Sequence, residues 1–182
     1  MRSLFIHINK TGGSSICAAL NLPKQHSTAR ELAKEVGESA WRKSFKFSFV
    51  RNPWDKVVSQ YHYRVKRDQT LLGSVPVTFP DWVRLTYRDR DERWYDKPKM
   101  FLSQFDWLVS ENGRMELDFV GRFENMSVDF AALAVHLGAV GDPFPHLNAT
   151  VRGHYCEYYD SESEEIVREN FASDLVVFGY KF

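Results

Sequence analysis

Leu4-Phe5-Ile6-His7-Ile8-Asn9-Lys10-Thr11-Gly12-Gly13-Ser14-Ser15-Ile16 joins an apolar run of strand length to a lysine, two glycines and three hydroxyl residues. Ile16-Cys17-Ala18-Ala19-Leu20 then opens a helix. Strand, glycine-rich turn and helix, in that order, form an anion cradle. The glycines let the backbone approach a phosphate, the N–H groups at the helix start point towards it, and Lys10 adds positive charge. The expected fold is a three-layer α/β domain, a P-loop-like parallel sheet flanked by helices.

Working outward, Phe45-Lys46-Phe47-Ser48-Phe49-Val50 alternates and then turns continuously apolar, as a strand entering a sheet core does. Arg51-Asn52-Pro53-Trp54-Asp55 follows. Asn52 is suited to the N-cap, Pro53 to the first helical position and Asp55 to the first turn, so a helix is predicted to run to about Lys66. Trp54, Val57, Val58, Tyr61 and Val65 recur at helical spacing and are read as its buried stripe. Arg51 thus stands at the carboxyl end of a strand, where open α/β sheets place their ligands. Residues 10–15 and Arg51 give two anion subsites.

The chain has 182 residues, 43% of them hydrophobic and 15% aromatic, enough for one well-packed domain spanning residues 1–182. Basic and acidic residues both number 24, so overall charge does not point to nucleic acid or to an anionic membrane. Any anion site must be local. Cys17 and Cys156 have no metal-ligand spacing and make no disulfide framework, which fits a reducing compartment. The apolar run at the amino end is too short for a signal peptide or a membrane span, so the expected location is cytoplasmic.

Further along, Thr28 and Glu31 have capping-box spacing, predicting a helix from Ala29 to about Val36 closed by Gly37. His26 lies just before it. Residues 68–100 are punctuated by Gly73, Pro76, Pro80 and Pro98, with a short helix expected from Thr78 to Tyr87. There Trp82, Tyr87, Trp94 and Tyr95 interleave with Arg84, Arg88, Arg90 and Arg93. That pattern would suit a sugar or anionic acceptor, although a solvated charged face explains the arginines more simply. Phe105–Val109 and Leu117–Phe123 read as two strands around the turn Glu111-Asn112-Gly113. Helices are expected from Asn125 or Ser127 to Leu137, with Gly138 as stop, and from a Ser161/Glu164 capping box to Phe171. Residues 174–180 form an apolar closing segment docked on the core.

A nucleoside-triphosphate P-loop reads G-x-x-x-x-G-K-[ST], whereas here Lys10-Thr11 precede Gly12-Gly13. The second strand also ends in Arg51, not in the aspartate a magnesium-dependent NTPase would want. Phe5 to Ser15 instead resembles the H-x-P-K-T-G-G-T-S loop of PAPS-dependent sulfotransferases of the carbohydrate (Golgi-type and bacterial) branch. Phe47-Ser48-Phe49-Val50-Arg51-Asn52-Pro53-Trp54-Asp55-Lys56-Val57-Val58-Ser59 is similar to that family's F-x-F-V-R-N-P-x-x-R-x-x-S segment. Val120–Asn125, His146-Leu147-Asn148 and Phe178-Gly179-Tyr180 also look like family markers.

The resemblance implies transfer of a sulfuryl group from 3′-phosphoadenosine-5′-phosphosulfate (PAPS) to an acceptor hydroxyl, on a saccharide, with adenosine 3′,5′-bisphosphate as product and no metal. It implies that Lys10 contacts the phosphosulfate and stabilises charge on the bridging oxygen. Thr11, Gly12, Gly13, Ser14 and Ser15 would cradle that group, and Arg51 and Ser59 would hold the 3′-phosphate. A loop carrying His146, Asn148 and Thr150 would reach over the cofactor. Ser59 falls about 10 Å up its helix, so such a ligand must lie along that helix. Asn9 stands where the family commonly has proline. Histidine is the side chain whose ordinary pKa suits a base near neutrality. Some relatives use a histidine between the two phosphate motifs, and His26 is the one so placed here; His7, His62 and a carboxylate of the central region are the alternatives. Two other functions compete with this one: a nucleotide-dependent kinase with an unusual P-loop, and a catalytically silent nucleotide-binding protein.

Overall fold

The computed structural model describes residues 2–138 and 152–182. In chain order the elements are β1 (Ser3–Ile6), α1 (Gly13–Ala19), α2 (Ala29–Val36), α3 (Glu38–Lys43), β2 (Phe45–Val50) and α4 (Pro53–Lys66). They continue as α5 (Phe79–Val83), α6 (Gln104–Leu108), β3 (Phe119–Arg122), α7 (Met126–Leu137), α8 (Ser161–Asn170) and α9 (Ala172–Phe178). The chain divides into two compact units, Met1–Arg51 with Gln104–Thr150 and Asn52–Ser103 with Val151–Phe182. Among the described residues no helix is long and apolar enough to cross a membrane.

The first unit holds a parallel sheet of order β1-β2-β3, flanked by helices. Phe5 pairs with Phe47, and Phe47 with Phe119. Because side chains alternate along a strand, Phe45, Phe47 and Phe49 share one face. They pack against Ile16 of α1 and Met126, Phe130, Leu133 and Ala134 of α7. Gly121 is where β3 crosses closest to this layer: a Cβ there would stand 2.3 Å from a ring carbon of Phe49. The start of the β2–β3 pairing is held electrostatically. Buried Lys46 donates to the Ser44 carbonyl (3.0 Å) and pairs with Asp118 (3.3 Å), whose carboxylate also accepts the Lys46 backbone N–H (2.7 Å).

In the second unit α4 buries Trp54, Val57 and Val58 against Phe79, Trp82, Val83, Tyr87, Trp94, Phe101, Ile166, Val167 and Phe171. The local chemistry at its start is as the sequence predicts: Asn52 accepts the Trp54 N–H (3.0 Å), and Pro53 takes the first helical position. α5 runs on into a π-helical turn over Arg84–Arg88. Arg84 of that turn binds Asp160 and Glu162 at the head of α8, the latter at 2.6 Å. Trp82, Tyr87 and Trp94 face the core while Arg88, Arg90 and Arg93 are exposed, so the central arginines form a solvated face and those rings build the interior.

Three local expectations change. Phe105–Val109 is not a strand but lies on α6 and its end; one antiparallel bridge, Val109 to Met115, is all the pairing there. The buried residues of that stretch, Gln104, Trp107 and Leu108, have helical spacing, which outweighs the alternation of Phe105, Trp107 and Val109. The capping box of α8 is formed by Asp160 and Ser163, one residue earlier than expected, because a carboxylate accepts from the helix N–H more strongly than a hydroxyl does. The closing segment is helical, and while Phe178 and Tyr180 are buried, Val176 is exposed.

Candidate active site

The turn after β1 is built on two left-handed residues, Lys10 (φ 67°) and Gly12 (φ 82°). Glycine takes that conformation freely; lysine does so against steric resistance. Alternating handedness makes successive backbone N–H groups converge, the geometry of an anion nest. Thr11 is fully buried, and its hydroxyl donates to the Ile8 carbonyl (3.0 Å), tying the turn to the strand it leaves. The Ser15 N–H donates to the Gly12 carbonyl (3.0 Å), which starts α1. Ser14 is half-buried and Ser15 buried.

Arg51 follows β2 in the same unit. One guanidinium nitrogen donates to the Lys10 carbonyl (3.0 Å), and the group stacks on Phe123 at 3.8 Å from the ring centre. Phe123 and Met126 also floor the cradle beneath Gly12, where a Cβ would come within 2.5 Å of the Met126 methyl. The Arg51 peptide is held by the side chain of Gln104. Its Oε1 accepts the Arg51 N–H and its Nε2 donates to the Arg51 carbonyl, both at 2.8 Å. A side-chain amide thus replaces a neighbouring strand. The two anion subsites expected at residues 10–15 and at Arg51 lie one hydrogen bond apart.

His26 is half-buried, and its Nδ1 lies 2.9 Å from the His7 carbonyl. A carbonyl only accepts, so Nδ1 carries the proton and Nε2 the lone pair of the neutral ring. Its ring lies over that of His7 at 4.2 Å between centres, and Trp107 meets it edge-on at 6.4 Å. His7 in turn is buried against the cradle: a Cβ on Gly13 would stand 2.1 Å from its Nε2. Burial, reinforced by the neighbouring His26 and Lys24, pushes the His7 pKa down to about 4, so it is neutral near pH 7. Cys17 lies 3.8 Å from His7 Nδ1, and its thiol donates to the Pro23 carbonyl (3.6 Å); burial pushes its pKa up in spite of Lys24, and it stays a thiol.

The structure brings Lys10, Thr11, Gly12, Gly13, Ser14, Ser15, Arg51 and His26 into one unit. Ser59 belongs to the second, half-buried on α4. Asn148 and Thr150, with His146, lie outside the described residues. Of the alternative bases, His7 is sealed by its neighbours, and His62 packs among Tyr61 and Tyr158 of the second unit with its pKa lowered by burial and by Arg152. Sequence reasoning missed Gln104, whose partner is 53 positions away. Phe123 lies in the Val120–Asn125 stretch, but nothing in its spacing tells that it carries a guanidinium.

A family model described as "Sulfotransferase family" matches residues 4–181. A protein of Archaeoglobus fulgidus described only as uncharacterized is 26% identical over 124 residues, which cover 68% of this chain and 92% of that protein. No solved structure matches.

Proposed function

Because the chain belongs to the sulfotransferase family, we propose that its sulfuryl donor is PAPS and its acceptor a hydroxyl, on a saccharide. The supporting observation is the Arg51–Lys10 hydrogen bond, which joins the two elements expected to bind anions into one surface. A donor with phosphate at the 3′ position and phosphosulfate at the 5′ position presents anions to both. The left-handed turn at Lys10 and Gly12 fits the close backbone approach that a phosphosulfate requires.

When bound, PAPS supplies the sulfuryl group and leaves as adenosine 3′,5′-bisphosphate. In this reading Thr11 to Ser15 hold the phosphosulfate by backbone N–H groups and hydroxyls, and Lys10 places positive charge where the leaving oxygen becomes negative. Arg51 binds the 3′-phosphate, with Ser59 assigned the same role by the family motif, as Asn148 and Thr150 are assigned to the cofactor. His26 accepts the acceptor's hydroxyl proton at Nε2, the nitrogen its bond to the His7 carbonyl leaves unprotonated. The protein's task is positioning and charge stabilisation.

Calorimetry with adenosine 3′,5′-bisphosphate and with ATP tests the donor. The bisphosphate is expected to bind without added metal and Arg51→Ala to weaken it at least tenfold; preference for ATP with magnesium would reject the reading. Labelled PAPS offered to a panel of glycans and simple alcohols identifies the acceptor class.

A further inference from the structure

We propose that His7 is a positioning residue for His26, holding its imidazole in the tautomer and orientation that leave Nε2 ready to take a proton. The inference rests on His26 being the base. Geometry carries it. His7 meets His26 twice, through its carbonyl at 2.9 Å from Nδ1 and through its ring at 4.2 Å. Its other contacts bury it. Phe5 stacks behind it at 5.2 Å and 17°, Phe5 rests on Phe47 at 5.0 Å, and Gly13 of the cradle closes the remaining side. Trp107 also meets His26, edge-on at 6.4 Å. The base is thereby referenced to the cradle and to the sheet through one buried ring.

A second imidazole beside a base is useful only if it does not compete for the proton. Among the described residues the titratable groups that act on His7 are His26, Lys24 and the Cys17 thiol; none of these is an anion that would draw a proton onto it, and burial opposes its charging. When the acceptor O–H breaks, the proton goes to His26 Nε2. The imidazolium keeps its Nδ1–H bond to the His7 carbonyl and faces a neutral ring, so protonation requires no rearrangement. Glycine at position 13 is part of the same device, since any side chain there would displace the His7 ring.

The test compares His7→Phe, which keeps an aromatic face, with His7→Ala, which removes it, using His26→Ala as reference. In wild type, ¹⁵N NMR of the imidazoles should find neutral His26 in the Nδ1–H form. His7→Ala should shift it towards the Nε2–H form that free histidine prefers, lower kcat about 10- to 100-fold and leave KM for PAPS within a few-fold. His7→Phe should retain the Nδ1–H tautomer and most of kcat. Wild-type tautomer and turnover in His7→Ala would overturn the proposal, as would His7→Phe behaving like His7→Ala. If His7→Ala does not fold, the tautomer and turnover of His7→Phe decide alone. Normal turnover in His26→Ala would reject the base itself, and the tautomer measurement would still report separately whether His7 orients His26.

Discussion

Lys10 holds a left-handed backbone, which costs a non-glycine residue about 1–3 kcal/mol. The strain sits at the residue that brings positive charge to the cradle, so stability and chemistry should separate on mutation. Lys10→Gly and Lys10→Ala are both expected to abolish transfer. In urea denaturation, however, Lys10→Gly should be more stable than Lys10→Ala by about 1 kcal/mol, since only glycine takes the positive φ without penalty. The turn from strand to helix through Lys10 and Gly12 was readable because it is encoded locally. The buried role of His7 was not, because its partner His26 lies 19 positions away and a histidine on an apolar strand looks like any other packed residue.

At the level of elements, the residue that follows β2 is held by a side chain instead of a strand. Gln104→Ala would leave the Arg51 N–H and carbonyl buried without their partner, at a cost of roughly 2–3 kcal/mol, and should weaken nucleotide binding with it. Gln104→Glu keeps the acceptor but not the donor and sets a buried carboxylate oxygen against the Arg51 carbonyl, so it should destabilise as well; chemical denaturation with calorimetry on the same samples checks both. α8 depends on the residue just before it. Asp160 caps the helix, and hydrogen bonds from Ser163, then the Arg84 guanidinium, lower its pKa from 3.8 to about 2. Its ionised form is favoured in the folded chain, so its contribution is complete above pH 4 and disappears as pH falls towards 2. Asp160→Ala should remove that acid-dependent step and cost about 1 kcal/mol at neutral pH, measured by thermal melts across the range. Caps and strand-to-helix turns were legible because neighbouring residues determine them. α6 was not: in a five-residue helix the alternation of Phe105, Trp107 and Val109 competes with the spacing of Gln104, Trp107 and Leu108, and the contact that decides is distant in sequence.

For the molecule as a whole, acid sensitivity should begin well above the carboxylate range. His7 takes a proton near pH 6.5 when unfolded but only near pH 4 when folded, so between those values the unfolded chain binds more protons and stability falls as pH falls. From pH 7 to pH 5 the loss from this one residue is about 2 kcal/mol. His7→Phe should flatten the stability profile over that interval, as read from urea midpoints at pH 7 and pH 5; an unchanged slope would contradict a neutral His7. The lowered pKa of His62 acts in the same direction.

The order of the strands also bears on biosynthesis. β2 is the central strand, yet its second neighbour, β3, is encoded only at residues 119–122, after the first stretch of the other unit. At about 5–20 residues per second, the nascent chain carries one uncovered edge of a Phe-rich strand for several seconds before its partner is made. Until then Phe45, Phe47 and Phe49 also lack the helix that covers them, α7. The interval is a window for chaperone capture during translation, and slowing the ribosome within residues 52–103 should lower soluble yield without altering the finished protein.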